Sequence, residues 1–299
     1  EQLQITTSGP RQVVLITVMD ATTPVAAAIA IQPTGNREPL TRTASAGSSA
    51  ATIVHAGPLC EIDHSRWTSV TETMATKLNQ VLGNRQVQFV QWATDPDNEN
   101  VARWCEALEF EPIAKLEYLS GTIHQAARPV EGPLALQQFD WEPAAESLER
   151  FAELVERTYV NTADCPRLTH FRTARQTLDG YQDATAFAPE LWFRIVAPLA
   201  NGNQSVGCVI LSNHGASRSP DANPNRGDVI VLVYMGLVPE ARGRGYGPQV
   251  MALAVDQARS VGADQMIMAV ERNNAAARRI YHQVGFKPIL TESVWAKSI

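Results

Sequence analysis

In the second half of the chain, apolar positions switch between a period of two and a helical period, so the segment reads as mixed α and β. Leu134 to Phe139 reads as a strand, and Trp141 to Tyr159 follows with helical spacing and many Glu and Ala residues. Thr173 to Tyr181 reads as a weaker helix. Leu191 to Val196 and Val206 to Ser212 are β-rich, with the turn signal Ala200-Asn201-Gly202-Asn203 between them. A polar loop rich in Pro and Gly, Gly215 to Gly227, leads into a long apolar run from Asp228 to Val238. The helix at Pro248 to Val261 sets Val250, Leu253, Ala254, Ala258 and Val261 on one face and stops at Gly262. Gln265 to Val270 reads as a buried strand. Asn274 is placed to cap a last helix whose apolar face is Ala277, Ile280, Tyr281 and Val284. Gly285 ends that helix, and two short strands are expected after it.

Between the apolar run and its helix lies Arg242-Gly243-Arg244-Gly245-Tyr246-Gly247. A strand that hands over to a helix through glycines presents free backbone N–H groups at the positive end of the helix dipole. Without a Cβ, the backbone can approach a phosphate closely. The loop therefore predicts a ligand bearing a pyrophosphate.

The first half repeats part of this pattern without a gap. Shifted by 176 positions, Asn98 falls on Asn274, Phe110 on Phe286, Pro112 on Pro288 and Ile113 on Ile289. Ser69 to Leu82 falls on the helix after the glycine loop, and Gln88 to Ala93 on the strand after it. Upstream, Val13 to Met19, Val25 to Ile31 and Ala51 to Val54 read as the preceding strands. The repeat predicts two related domains, 1–125 and 133–299, joined near Ile123 to Gly132. The first copy is expected to lack the opening strand and helices found at 134 to 181. Its counterpart of the glycine loop is Arg66-Trp67-Thr68-Ser69-Val70-Thr71, with every glycine replaced. A loop carrying Cβ atoms at each position wraps a pyrophosphate less closely, so the first domain is expected to be degenerate and non-catalytic.

Composition narrows the partners. A hydrophobic fraction of 44% and a charged fraction of 19% over 299 residues fit a globular protein. The net charge of −6 argues against nucleic acid and anionic membranes as partners. No apolar stretch is long enough to cross a bilayer, and the first ten residues lack the features of a signal peptide. Cys60, Cys105, Cys165 and Cys208 are dispersed, with no C-x-x-C pair. Such thiols read as reduced, buried cysteines of a cytoplasmic protein, with no metal site.

Two segments together carry a family resemblance. Arg242-Gly243-Arg244-Gly245-Tyr246-Gly247, preceded by Met235-Gly236-Leu237-Val238-Pro239, fits an [RQ]-x-x-G-x-[GA] loop after a fourth strand. Downstream, Asn274-x-x-Ala277-x-x-x-Tyr281-x-x-x-Gly285-Phe286 fits a final helix. From about Leu134 onward the chain resembles the GNAT superfamily of acyl-CoA N-acyltransferases. The fold so implied is α/β (α+β): two tandem GNAT-like domains, each a mixed, mostly antiparallel sheet flanked by helices. The activity implied is acetyl or acyl transfer from acetyl-CoA, without a metal, to the amine of a small molecule or peptide. The oligomeric state stays open.

The resemblance also implies roles. Backbone N–H groups from Arg242 to Gly247 hold the pyrophosphate. Leu237 and Val238 pair with the pantetheine arm, with Leu237 N–H directed at the thioester oxygen. Tyr281 serves as acid toward the departing thiolate, and Asn274 either caps its helix or bonds the arm. The general base is not identified. Val231 stands roughly where some family members carry a glutamate, and Asp228, Glu271 and Tyr234 are the alternatives nearby. His170, His214 and His282 read as surface or structural residues. A non-catalytic acyl-CoA sensor or scaffold, and acylation of a hydroxyl or thiol, are the competing readings.

Overall fold

The computed structural model describes residues 2–8, 11–33, 50–125, 132–140, 144–182, 187–199, 202–216 and 227–299. Most of the first linker, the centre of the loop at 215–227 and residues 141–143 of the expected helix lie outside these. Strands β1 (Gln2–Ser8), β2 (Arg11–Asp20), β3 (Thr23–Pro33) and β4 (Ala50–Pro58) lead to helix α1 (His64–Gly83). Strand β5 (Phe89–Thr94), helix α2 (Glu99–Ala107) and strand β6 (Glu111–Thr122) close the first half. The second half runs β7 (Ala135–Gln138), α3 (Ala144–Tyr159), α4 (Ala174–Gln182), β8 (Trp192–Leu199), β9 (Gly202–Ala216) and β10 (Asp228–Leu237). It continues through α5 (Tyr246–Ser260), β11 (Ala263–Glu271), α6 (Ala275–Val284) and β12 (Lys287–Ser298).

The strands form a single 12-stranded sheet in the order β1-β2-β3-β4-β5-β12-β6-β11-β10-β9-β8-β7. Only β4·β5 and β10·β11 are parallel. The sheet is thus mixed and mostly antiparallel, as expected, but it is shared. The last strand of each half lies in the other half: β12 pairs with β5, and β6 pairs with β11. The exchange obeys the sequence repeat. Strands β6 and β12 lie 176 positions apart at both ends, and the pairing Gln265↔Thr122 reappears as Ser298↔Phe89. The expected boundary between 1–125 and 133–299 is therefore crossed twice.

Core packing follows the exchange. Trp295 is buried in the first core with Trp92 and Phe110, and its indole N–H donates to Thr94 Oγ1 at 3.1 Å. Its repeat equivalent, Leu119, is buried in the second core. Truncating a buried Trp costs roughly 3–5 kcal/mol, so each half is stabilised by a strand of the other.

Several expectations are corrected. The first copy does have an opening strand: β1 occupies the outer edge, as β7 does at the opposite edge. Gln2 to Ser8 alternates in period two, a short signal beside a chain end. The two short strands expected after Gly285 are one continuous strand, β12, because it has partners on both sides along its length. Asn98 and Asn274 both cap helices, accepting from Val101 N–H and Ala277 N–H. At the helix C-caps, Gly285 has φ +104° and its equivalent Glu109 has φ +65°. A left-handed Glu is strained by roughly 1–2 kcal/mol. Its carboxylate is held by the buried Lys297 at 2.7 Å. Val261, expected on the apolar face of α5, is exposed, and so is Cys60.

Candidate active site

Helix α5 begins without a side-chain cap. Gly245 takes the cap position at φ +76° and Gly243 lies at φ +71°. A Cβ at either would meet nothing within 4 Å, so both glycines line open space. Among the described residues, the N–H groups of Gly243, Arg244, Gly245, Tyr246 and Gly247 find no backbone acceptor. These are the orphan donors of a helix start, directed out of the chain. Gly247 has a separate purpose: a Cβ there would come 2.5 Å from Ile280 Cδ1, so its absence lets α5 and α6 pack closely. Tyr246 packs on the second core, and Arg244 is exposed with its Nε donating to Glu240 O.

Arg242 does not belong to the cradle. Its N–H donates to Pro239 O. Its guanidinium donates to the carbonyls of Leu237, Thr158, Val160 and Asn161 at 2.7–3.0 Å. It ties the end of β10 to the end of α3 and so fixes where the loop starts.

Strands β10 and β11 part beside this loop. Their pairing ends at Leu232↔Met268. At that point β10 carries a bulge, because Leu232 faces Leu211 and Tyr234 faces Ile210, leaving Val233 without a partner on β9. A bulge bends its strand and raises the local twist, which turns β10 away from β11. Beyond it, Val238 N–H donates to Val206 O at 2.9 Å. Antiparallel pairs alternate in bonding, so the N–H of Leu237 points the other way, into the gap. Val238, expected to bond a ligand, is instead engaged by β9; Leu237 has the open edge.

The opposite wall of the gap holds a carboxylate that sequence reasoning missed. Asp164 Oδ1 accepts the N–H of Glu271 at 3.0 Å, at the end of β11, and the side chain of Asn274 also donates to Asp164. Asp164 sits in a tight loop whose Asn161 and Cys165 have φ +52° and +44°. Left-handed non-glycine residues so close together mark a backbone held in place by its surroundings. Burial raises the Asp164 pKa above its usual value, against the two hydrogen bonds that lower it. Burial likewise raises Glu271, whose carboxylate also accepts Lys115 N–H. Asn274 accepts Ala277 N–H on its oxygen and donates one amide N–H to Asp164, which leaves its second amide N–H for another acceptor.

Tyr281 is buried, and among the described residues its hydroxyl makes no hydrogen bond. Burial raises its pKa first, and the neighbouring Asp164 charge adds to the shift. Tyr281 therefore keeps its proton at neutral pH. The other base candidates are engaged elsewhere. Tyr234 shares a 2.7 Å hydrogen bond with Thr158 Oγ1, and Asp228 accepts Asn213 Nδ2 at the far end of β10. His170 is exposed, and His282 lies against Phe286 O.

A cavity of about 400 Å³ opens where the strands part, lined by Val231 and Val233 of β10 and Ile267 and Ala269 of β11. Tyr181 of α4, also missed, closes it, and feels the charge of Asp164. Ala269 of its wall lies two residues before Glu271, whose N–H Asp164 accepts, so the cavity and Asp164 are neighbours along β11.

The first half retains the split but not the cradle. Pairing of β4 with β5 ends at Ile53↔Trp92. Helix α1, however, begins at His64, so Arg66 to Thr71 is helix and not loop. Asp63 caps it, taking Arg66 N–H at 3.1 Å and the Ser65 hydroxyl. A carboxylate on the helix N-terminus satisfies the donors and repels a phosphate. Among the described residues there is no cluster of metal-ligating side chains and no helix long and apolar enough to cross a membrane.

Residues 151–286 match the model of the Acetyltransferase (GNAT) family. A mycothiol acetyltransferase of Corynebacterium aurimucosum is 27% identical over 176 residues, 56% of this chain and 55% of that protein. One from Beutenbergia cavernae is 40% identical over 70 residues, 23% of this chain and 22% of its own length. The chain thus spans about half, or less, of the relatives it matches. Among solved structures, a GCN5-related glucosamine N-acetyltransferase region of a fungal multi-domain β-N-acetylglucosaminidase aligns over 96% of this chain and 33% of its own, with TM-score 0.57 and 11% identity, a likeness of fold. Residues 151–286 of this chain are thus similar to the acetyltransferase domain of the GNAT family.

Proposed function

We propose that this chain is an acetyl-CoA-dependent N-acetyltransferase that passes the acetyl group directly to a primary amine in a ternary complex. Residues 133–299 form the catalytic unit in this reading, and 1–125 a degenerate copy that does not bind the donor. The observation that carries it is the uncapped start of α5 beside the open edge of β10, against the Asp63-capped start of α1. The cradle fits a pyrophosphate: several outward N–H groups, glycines at positive φ, and no side chain in the space they face.

In this reading the N–H of Leu237 donates to the thioester oxygen, where negative charge grows as the amine attacks. Asp164 receives the proton of the attacking ammonium, directly or through water; its raised pKa makes it a stronger base than an ordinary carboxylate. As the C–N bond forms and the C–S bond breaks, Tyr281 donates its proton to the sulfur, and the second proton lost by the acylated nitrogen restores the phenol. Glu271 and Asn274 hold Asp164 in position. The test is CoA release from acetyl-CoA across a panel of amines, with the product mass measured. The acceptor of the mycothiol acetyltransferases belongs in that panel. Acetyl-CoA binding without release would favour a sensor, and an acetylated hydroxyl or thiol would displace the amine.

A further inference from the structure

The cavity beside the split strands speaks to the acceptor. Its walls are Val231, Val233, Ile267 and Ala269 from the two parting strands, with the rings of Tyr181 and Trp192. Among the described residues, no Asp, Glu, Lys or Arg lines it. The phenol of Tyr118, which also lines it, donates to Glu292, so that ring presents mainly its carbon surface. Apart from the phenols of Tyr118 and Tyr181, the polar side chains described in the lining are Ser212 and His214. Ser212 lies opposite Val231 in the β9·β10 register, and its hydroxyl is 3.1 Å from His214 Nε2.

Such a wall discriminates by what it leaves unpaired. A polyhydroxylated acceptor entering it would give up water at each hydroxyl and find partners for few of them. Each buried hydroxyl without a partner is heavily penalised. An aromatic or branched alkyl body gives up nothing comparable and covers apolar wall, which is favourable. Ala269 of the wall lies two residues before Glu271, whose N–H Asp164 accepts, and this sets the direction: the amine at the Asp164–Tyr281 end, the apolar body along Val231 and Ile267, the far tip at Ser212 and His214.

We propose that the acceptor is a primary amine borne on an apolar body, an arylalkylamine being the simplest example, with a single hydrogen-bonding group tolerated at the far tip. This rests on the acetyltransferase reading above. The test compares 2-phenylethylamine, tyramine and glucosamine as acceptors, after acetyl-CoA binding to the full chain has been measured by calorimetry. The expected result is a kcat/KM for the arylalkylamines at least about ten-fold above that for glucosamine, the scale that apolar pockets reach. Ala269→Trp, which fills the cavity, is expected to lower that kcat/KM by a similar factor with acetyl-CoA affinity unchanged. Ile267→Ala, which enlarges the cavity without adding bulk, is expected to shift preference toward larger arylalkylamines. Preference for glucosamine, equal rates, turnover of none of the three amines, or indifference to both substitutions overturns the proposal while leaving the donor site standing. Failure to bind acetyl-CoA overturns the acetyltransferase reading and this inference together.

Discussion

Replacing Gly245 by Ala separates the strain of a loop from its chemistry. The residue sits at φ +76° with nothing within 4 Å of an added Cβ, so the methyl meets no wall. Holding an Ala in the left-handed region costs about 1–2 kcal/mol. At about 2–4 °C per kcal/mol, Tm falls by roughly 2–8 °C and the protein still folds. The effect on binding is larger. The methyl enters the space in front of the N–H groups, and relaxing the strain turns them away from a common point. Hydrogen bonds to a charged group are worth about 1.5–3 kcal/mol each, so misaligning two removes about 3–6 kcal/mol. That is roughly a 10²- to 10⁴-fold rise in Kd. Gly202→Ala is the matched control: φ there is +99°, nothing lies within 4 Å, and the site is the β8–β9 turn. Calorimetry with acetyl-CoA and thermal unfolding are run on both variants. Equal loss of Tm with loss of affinity in Gly245→Ala alone is the expected pattern. Affinity within about three-fold of the parent in Gly245→Ala, under 1 kcal/mol, would refute the cradle.

Tyr281→Phe removes a proton donor without changing the packing of the ring, so kcat should fall by about 10²- to 10⁴-fold with acetyl-CoA affinity unchanged; steady-state kinetics with an unaltered kcat would dismiss Tyr281 as the acid. Asp164→Asn should lower kcat while raising stability at neutral pH. The sign follows from the raised pKa: the folded state holds the Asp164 proton more tightly than the unfolded chain, so stability falls as pH rises from the ordinary carboxylate value through the raised one. Removing the charge flattens that fall, and denaturation curves from acid to neutral pH that match the parent's would contradict it. A fragment starting at residue 133 lacks β6, the antiparallel neighbour of β11, and should fail to show cooperative unfolding; a sharp, parent-like transition in circular dichroism would mean that the exchange is dispensable.

Local physics was legible in the sequence, and partners distant in the chain were not. Glycines at 243 and 245, the Asn274 cap and the helix ending at Gly285 each follow from residues within a turn of one another. Strand exchange has no such signature. Strands β6 and β12 are repeat equivalents, so β5 and β11 are equivalent partners for either, and hydrophobic alternation cannot choose between an own strand and a borrowed one. Asp164 was silent for a related reason: the loop Thr-Ala-Asp-Cys-Pro reads as a turn, while the groups that give it meaning, Glu271, Asn274 and Tyr281, lie more than a hundred residues away. Arg242 misled because its motif position suggests a phosphate contact, whereas its guanidinium meets four carbonyls first. Asp63 was readable: an aspartate ahead of His-Ser-Arg and a helical run is a cap signal, and it places the start of α1 upstream of the expected loop.

The exchanged strands change what degeneracy means for the first half. Asp63 on the start of α1 leaves no room for a second phosphate site, yet the half is coupled to the gap it does not form. Its strand β6 flanks β11 from Gln265 to Glu271. Lys115 of that strand donates its N–H to the Glu271 carboxylate, and its carbonyl accepts Arg272 N–H at 2.7 Å. The Glu271 N–H is then the group left facing the gap, where it holds Asp164. Tyr118 of β6 lines the cavity beside the parting strands, and Leu119 and Ile123 complete the second core. A mutation in the first half can therefore reach the chemistry without touching the donor, through the position of β11 alone. Loss of β6 would leave β11 with no neighbour on that edge. The repeat follows the same division: Phe110 and Pro112, around the start of β6, match Phe286 and Pro288, while Arg66 to Thr71 holds no glycine.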